Sequence, residues 1–197
     1  MITANDIAIG GNVINLEGNF NSAAVTNCEP NYNDLIDRCK TERKCLEILY
    51  NSLKKGVFAI AFSIVSDFQL AEDCVAETFV RLVGIKRFSA KDGDGKGFIY
   101  RIARNVAMEH YRKFKKNRDD IDSVVQGYGE TEKTVEDSIY INGLLKSLND
   151  KQRQVVIMRC YNEMSFKEIG AVLKIPATTV KSRYKKAIEI LQGKAGV

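Results

Sequence analysis

Thr178, Lys181, Ser182 and Lys185 fall at offsets of three, four and seven residues, so a helix through them would carry all four on one side. Arg183 and Lys186 flank that side. Lysine and arginine reach phosphate oxygens, and short hydroxyls hydrogen-bond base edges, so this set suits a helix laid in the major groove of duplex DNA. A second gathering lies upstream in FIYRIARNVAMEHYRKF, residues 98–114. There Arg101, Arg104, Asn105, Met108 and Arg112 share one face of an expected helix, opposite a buried stripe of Ile99, Ile102, Ala103 and Val106. Phe98, Tyr100 and Tyr111 add aromatic surface, and Lys113, Lys115, Lys116 and Arg118 extend the charge. Cations can follow a phosphate backbone while rings and amides grip unstacked bases, which fits single-stranded or opening DNA better than closed duplex. Either set taken alone could equally be a solvated basic face, so the elements around them decide.

No constellation for covalent or metal chemistry accompanies these residues. The chain carries no Walker loop, no nucleophile elbow and no H-E-x-x-H, and His110 is its only histidine. Cys28, Cys39, Cys45, Cys74 and Cys160 form no C-x-x-C pair, and their odd number argues against a closed disulfide framework. We expect reduced thiols, no catalytic residue, no metal and no cofactor, and therefore a binding protein rather than an enzyme. A net charge of +5 over 197 residues is a modest bias toward anionic partners.

The elements that must position the two sets are helical. Only two prolines, Pro30 and Pro176, interrupt the chain. From about Thr41, Leu46, Leu49, Tyr50, Leu53, Val57, Ile60, Ala61 and Ile64 recur every three or four residues. A second helix is expected over about 70–83 and a third over about 98–114, with the glycine-rich, charged RFSAKDGDGKG between them. Residues 119–137 are acidic and lack a steady apolar period, which marks a linker. Helices should resume at about 138–148, 150–161, 165–173 and 177–192. The expected fold is all-α: two small helical domains, 41–118 and 138–197, joined by the linker. Residues 1–40, rich in asparagine and glycine, read as a poorly ordered extension with a short strand around 8–16.

In the C-terminal domain, Ser165 and Glu168 form an S-x-x-E capping box, Ile169, Val172 and Leu173 give one apolar face, and Lys174 and Ile175 make a tight turn. Pro176 suits the first position of the next helix, where its missing amide costs nothing. That helix turns Val180, Tyr184, Ala187, Ile188 and Leu191 inward and the cationic set outward, which describes a helix-turn-helix. The helix LAEDCVAETFVRLV has another character. Val75, Phe79 and Leu82 face in, and Glu72, Asp73 and Glu77 make an acidic outside that would repel DNA. A protein partner with basic residues is the simplest match for it. Glu77 and Arg81 also have the spacing of an ordinary i,i+4 pair.

Three segments in this order, DFQLAEDCVAETFVRLV, GFIYRIARNVAMEHYRK and SLNDKQRQVVIMRCYNEMSFKEIGAVLKIPATTVKSRYKKAIEIL, resemble sigma-70 family factors. The likeness is to the compact extracytoplasmic-function (ECF) type, which keeps regions 2 and 4, and it runs over about residues 42–192. It implies that Glu72, Asp73 and Glu77 face the clamp helices of the largest subunit of core RNA polymerase. It implies that Phe98, Tyr100, Arg101, Arg104, Asn105 and Arg112 melt and read the −10 element, with Asn105 beside a flipped base. Thr178, Lys181, Ser182, Arg183 and Lys185 would read the −35 element, and about 140–192 would touch the β flap. An anti-sigma factor is a further candidate partner. Phe98 stands where relatives often have tryptophan, Lys174 where many such turns have glycine, and the N-terminal extension is longer than usual. Glu109, one turn after Asn105, stands where many relatives are neutral or basic, and is expected to weaken DNA approach or shape base choice.

The rivals are a stand-alone helix-turn-helix regulator of duplex operators and a sigma-like antagonist that binds polymerase without starting transcription. The opening MITANDIAIGG has no basic n-region and no apolar run approaches the roughly 20 residues of a membrane span, so a cytoplasmic protein without membrane contact is expected.

Overall fold

The computed structural model describes residues 6–9, 12–15, 30–85, 88, 94–118, 145 and 147–195. The linker at 119–137 and most of the helix expected at 138–148 lie outside them. The chain forms two compact units, one built from Pro30 through the third long helix and one containing the C-terminal helices.

In the first unit, α1 (Tyr32–Arg38), α2 (Arg43–Val65), α3 (Phe68–Gly84) and α4 (Gly95–Arg118) pack together. The central helix is α2, whose Leu49, Leu53, Val57, Ile60, Ala61 and Ile64 are buried against its neighbours. The three- and four-residue spacing of the sequence places these side chains in one stripe, and their burial drives the packing. From α3 come Val75, Phe79 and Leu82, as expected, together with Ala71 and Cys74. Buried hydroxyls find local acceptors: Thr78 Oγ1 donates to the Cys74 carbonyl at 2.6 Å and Ser63 Oγ to that of Ile60 at 2.7 Å.

By length and composition α2 is apolar enough to cross a membrane, contrary to the sequence expectation. Half of that apolar window is buried inside the unit, which accounts for its composition as that of a core helix.

The helix α1 corrects a second expectation, since it falls within the stretch read as poorly ordered. Asn31 caps it, accepting from Asp34 N, and Tyr32, Leu35 and Ile36 are buried. Its Asn33 Oδ1 accepts from Gly95 N at 2.7 Å, so α1 caps the first turn of α4. A Cβ on Gly95 would lie 2.8–2.9 Å from Asn33, Tyr32 and Ile36, so this close approach needs glycine. The expected strand near 8–16 is a hairpin, β1 (Asp6–Ile9) paired antiparallel with β2 (Asn12–Asn15), with Ile7 opposite Ile14.

In the second unit, α5 (Asp150–Val156) starts on a full capping box between Asn149 and Gln152 and runs into one π turn, Ile157–Tyr161. Then come α6 (Phe166–Leu173) and α7 (Ala177–Ala195). Leu148, Val156, Cys160, Ala187, Ile188 and Leu191 form a core with Leu145, Tyr161 and Tyr184 against it. Apart from α1, the described helices fall where they were expected, with bounds shifted by a few residues and the expected 150–161 helix ending in the π turn.

Candidate nucleic-acid interface

The C-terminal set depends on the turn between α6 and α7. Ser165 N donates to Glu168 Oε2 at 2.6 Å and Glu168 N to Ser165 Oγ at 3.3 Å, so the capping box starts α6 as the sequence requires. The turn closes with Ile175 N on the Gly170 carbonyl at 3.0 Å. Lys174 takes φ 56°, a left-handed conformation that glycine adopts more easily. Pro176 sits one residue ahead of α7, and its carbonyl accepts from Thr179 N and Val180 N.

Val180, Ala187, Ile188 and Leu191 hold α7 to its core, and Tyr184 packs beside Phe166 with ring centroids 5.5 Å apart. The opposite side presents Thr178, Lys181, Ser182 and Lys185, all exposed, with Arg183 half-buried at its edge. Lys185 Nζ stands 4.0 Å from Glu189 Oε1, both well exposed, an arrangement worth little in water.

On α4 the outcome is mixed. Asn105 and Arg112 are exposed, and Phe98, Arg101 and Arg104 are half-buried. The Phe98 ring meets Phe88 at 4.9 Å, and the Arg101 guanidinium stands 6.0 Å from its centroid. Burial, and then the neighbouring Arg112, lower the Arg104 guanidinium from its ordinary value; arginine stays charged regardless. Tyr100 departs from expectation. It is 3% exposed and belongs to the core, with Ile99, Ala103, Val106 and Ala107, while Ile102 is only half-buried. The buried arc of α4 is therefore turned toward Tyr100 and Ala107, because α1 as well as α2 and α3 packs on this helix.

The acidic helix also holds more than the sequence showed. Glu72 and Asp73 are exposed and Ala71 is buried beneath them. Both oxygens of Glu77 are engaged: Oε1 takes a bond from Arg81 Nη2 at 2.5 Å, and Oε2 lies 2.6 Å from His110 Nε2. Arg81 also reaches Glu109 with two bonds, 3.1 Å from Nη1 and 2.6 Å from Nη2. The His110 hydrogen bond, with Arg81 next to it, holds the Glu77 carboxyl below its ordinary range, and Arg81 does the same for Glu109. Sequence spacing revealed only the Glu77–Arg81 pair; Glu109 and His110 are distant in the chain. Among the described residues no group of histidine, cysteine and acidic side chains could hold a metal ion.

Two family models match the chain: "Sigma-70 region 2" over residues 49–137 and "Sigma-70, region 4" over residues 144–192. The ECF RNA polymerase sigma factor SigW of Bacillus subtilis is 30% identical over 158 residues, covering 71% of this chain and 82% of SigW. SigM of the same organism is 27% identical, covering 70% of this chain and 86% of its own length. Among solved structures, CnrH in complex with the cytosolic domain of CnrY matches with a TM-score of 0.62 and 20% identity, over 82% of this chain and 94% of the other. The sigma factor RpoE from Bartonella quintana, in complex with the anti-sigma factor NepR, matches with a TM-score of 0.58 and 22% identity, over 77% and 96%. With two cationic helix faces on units that match regions 2 and 4 in order, the chain belongs to the sigma-70 family, as an ECF-type sigma factor of transcription initiation.

Proposed function

We propose that the chain joins core RNA polymerase and directs it to promoters by holding duplex at −35 with α7 and capturing the opened −10 strand with α4. The observation that carries this reading is the pair of open cationic faces. Lys181, Ser182 and Lys185 are exposed on α7, and Asn105 and Arg112 on α4, while the opposite side of each helix is core.

In this reading Thr178, Lys181, Ser182, Arg183 and Lys185 serve the −35 element. Phe98, Arg101, Arg104, Asn105 and Arg112 serve −10, where stacking and amide contacts offset an unstacking cost of a few kcal/mol per step. Tyr100 supports them from beneath rather than stacking itself. Glu72 and Asp73 offer free carboxylates to a basic surface on the largest subunit of the polymerase. Glu77, tied to Arg81 and His110, adds to the local field more than it offers a free pairing group. The functional units are 41–118, extended by α1, and 138–197, the latter also touching the β flap. The 119–137 tether limits how far apart the two DNA readers can act, which selects promoter spacing. An anti-sigma partner is supported by the solved relatives, since RpoE is bound to the anti-sigma factor NepR and CnrH to the cytosolic domain of CnrY. The chain works in the cytoplasm, without catalysis of its own.

Run-off transcription from a genomic fragment library tests the proposal. Added to core polymerase, the chain should yield promoter-specific transcripts, while the free chain binds duplex weakly. Tight operator binding by the free chain would overturn it in favour of a regulator, and polymerase binding without any transcript in favour of an antagonist.

A further inference from the structure

Glu109 is the odd charge on the face of α4 that carries Asn105 and Arg112. It stands four residues after the one and three before the other. A bare carboxylate there would push phosphate away. The fold supplies an answer from a different helix. Arg81 of α3 places two nitrogens on the two Glu109 oxygens, the parallel fork in which a guanidinium best matches a carboxylate. Its Nη2 also serves Glu77, whose second oxygen meets His110. One guanidinium therefore bridges an acid beside the proposed polymerase face and an acid beside the proposed DNA face. Packing alone does not demand this, since the side chains of Arg81, Glu77 and Glu109 are all a third or more exposed.

We propose that Arg81 is a positioning residue for promoter capture: it cancels the charge of Glu109 and holds that carboxylate back against α3, leaving Asn105 and Arg112 to meet the melted strand. The inference rests on the reading of α4 as the −10 surface. It assigns Glu109 a definite consequence, since the acid is tolerated on α4 only while Arg81 holds it.

The test uses the full chain assembled with core polymerase and a single-stranded non-template −10 oligonucleotide taken from a promoter found by run-off. Arg81→Met should weaken binding by about 3- to 10-fold at low salt, with the deficit shrinking as salt screens the freed carboxylates. Glu109→Gln, which removes the acid and leaves Arg81, should tighten binding by about two- to threefold. The double variant should return to within about twofold of the unaltered protein, because no charge remains at Glu109 to be screened. Affinity for core polymerase and the melting temperature are read for each variant. A double variant as weak as Arg81→Met would reduce Arg81 to a packing role. If Arg81→Met does not fold, Glu109→Gln decides alone, and unchanged or weaker binding sinks the inference. Asn105→Ala and Arg112→Ala on the same oligonucleotide separate the two levels. If neither weakens binding, the −10 assignment of α4 fails and takes this inference with it. If both do while the Arg81 and Glu109 variants leave binding flat, the inference alone fails.

Discussion

A Cβ built on Gly170 would lie 2.7 Å from the carbonyl oxygen of Ile175, so the chain leaving α6 folds back across a position that only glycine can occupy. The Ile175 amide returns to the Gly170 carbonyl in the same turn, and Lys174 supplies the left-handed residue between them. We expect Gly170→Ala to cost about 1–3 kcal/mol by forcing backbone apart. Lys174→Gly should act in the opposite direction, gaining about 0.5–1 kcal/mol once the added chain entropy of glycine is set against the relief of φ 56°. Urea unfolding followed by circular dichroism on the two variants checks both signs. Equal midpoints for Gly170→Ala and the unaltered chain would show that the turn has room to spare.

The helices that carry the site could be read from the chain because their stripes are regular. Val75, Phe79 and Leu82 in α3, and Val180, Ala187, Ile188 and Leu191 in α7, are buried as their spacing requires. The cap at Ser165 and Glu168 was equally legible, since it is a local contact between residues three apart. What escaped depends on partners distant in sequence. The asparagines near Pro30 read as helix-avoiding, yet the same hydrogen-bonding habit makes Asn31 the cap of α1 and Asn33 the cap of α4. Tyr100 read as surface because nothing local announced α1 or the wider arc of α4 that it helps to cover. Glu109 was visible as an anomaly, but its partner Arg81 lies in another helix.

The bond from Gly95 N to Asn33 Oδ1 joins α1 to the helix proposed to open DNA. Asn33→Ala should lose one cap contact, about 1 kcal/mol. The effect should exceed stability, because the first turn of α4 leads directly into Phe98. Thermal melting gives the first quantity, and hydrogen exchange at the amides of Gly95–Phe98 gives the second. Unchanged exchange there would show that α4 starts without help from α1.

The thiols predict an alkaline limit. Among the described residues Cys39, Cys45, Cys74 and Cys160 are free and buried. Burial pushes Cys74 up to about 11, with Glu77 and Asp73 adding to the rise, and Cys160 likewise to about 11. In the unfolded chain a thiol ionises near about 8.5. Between these values the native state holds protons that the unfolded chain has lost, so stability is full below about pH 8.5 and declines as pH rises above it. Cys74→Ala and Cys160→Ala should each flatten that decline. In the native protein at neutral pH, iodoacetamide should leave all four residues unlabelled by peptide mass, and fast labelling of Cys74 would contradict its burial.

Lys185 offers the most direct test of the proposed −35 face. Its side chain is 81% exposed and the acid 4.0 Å from it, Glu189, is itself mostly in water, so little would be lost if the ammonium turned to DNA. A lysine on phosphate displaces condensed counterions, and each such contact contributes about 0.9 to the slope of log affinity against log salt. Lys185→Ala in the holoenzyme should therefore weaken −35 duplex binding to a similar extent on every sequence and make that slope shallower by about one. Ser182→Ala removes no charge, so it should leave the slope alone while changing which base pairs are preferred. A Lys185 variant with the original slope would place this residue away from phosphate, and a Ser182 variant with an unchanged base preference would turn the reading surface of α7 to another side of the helix.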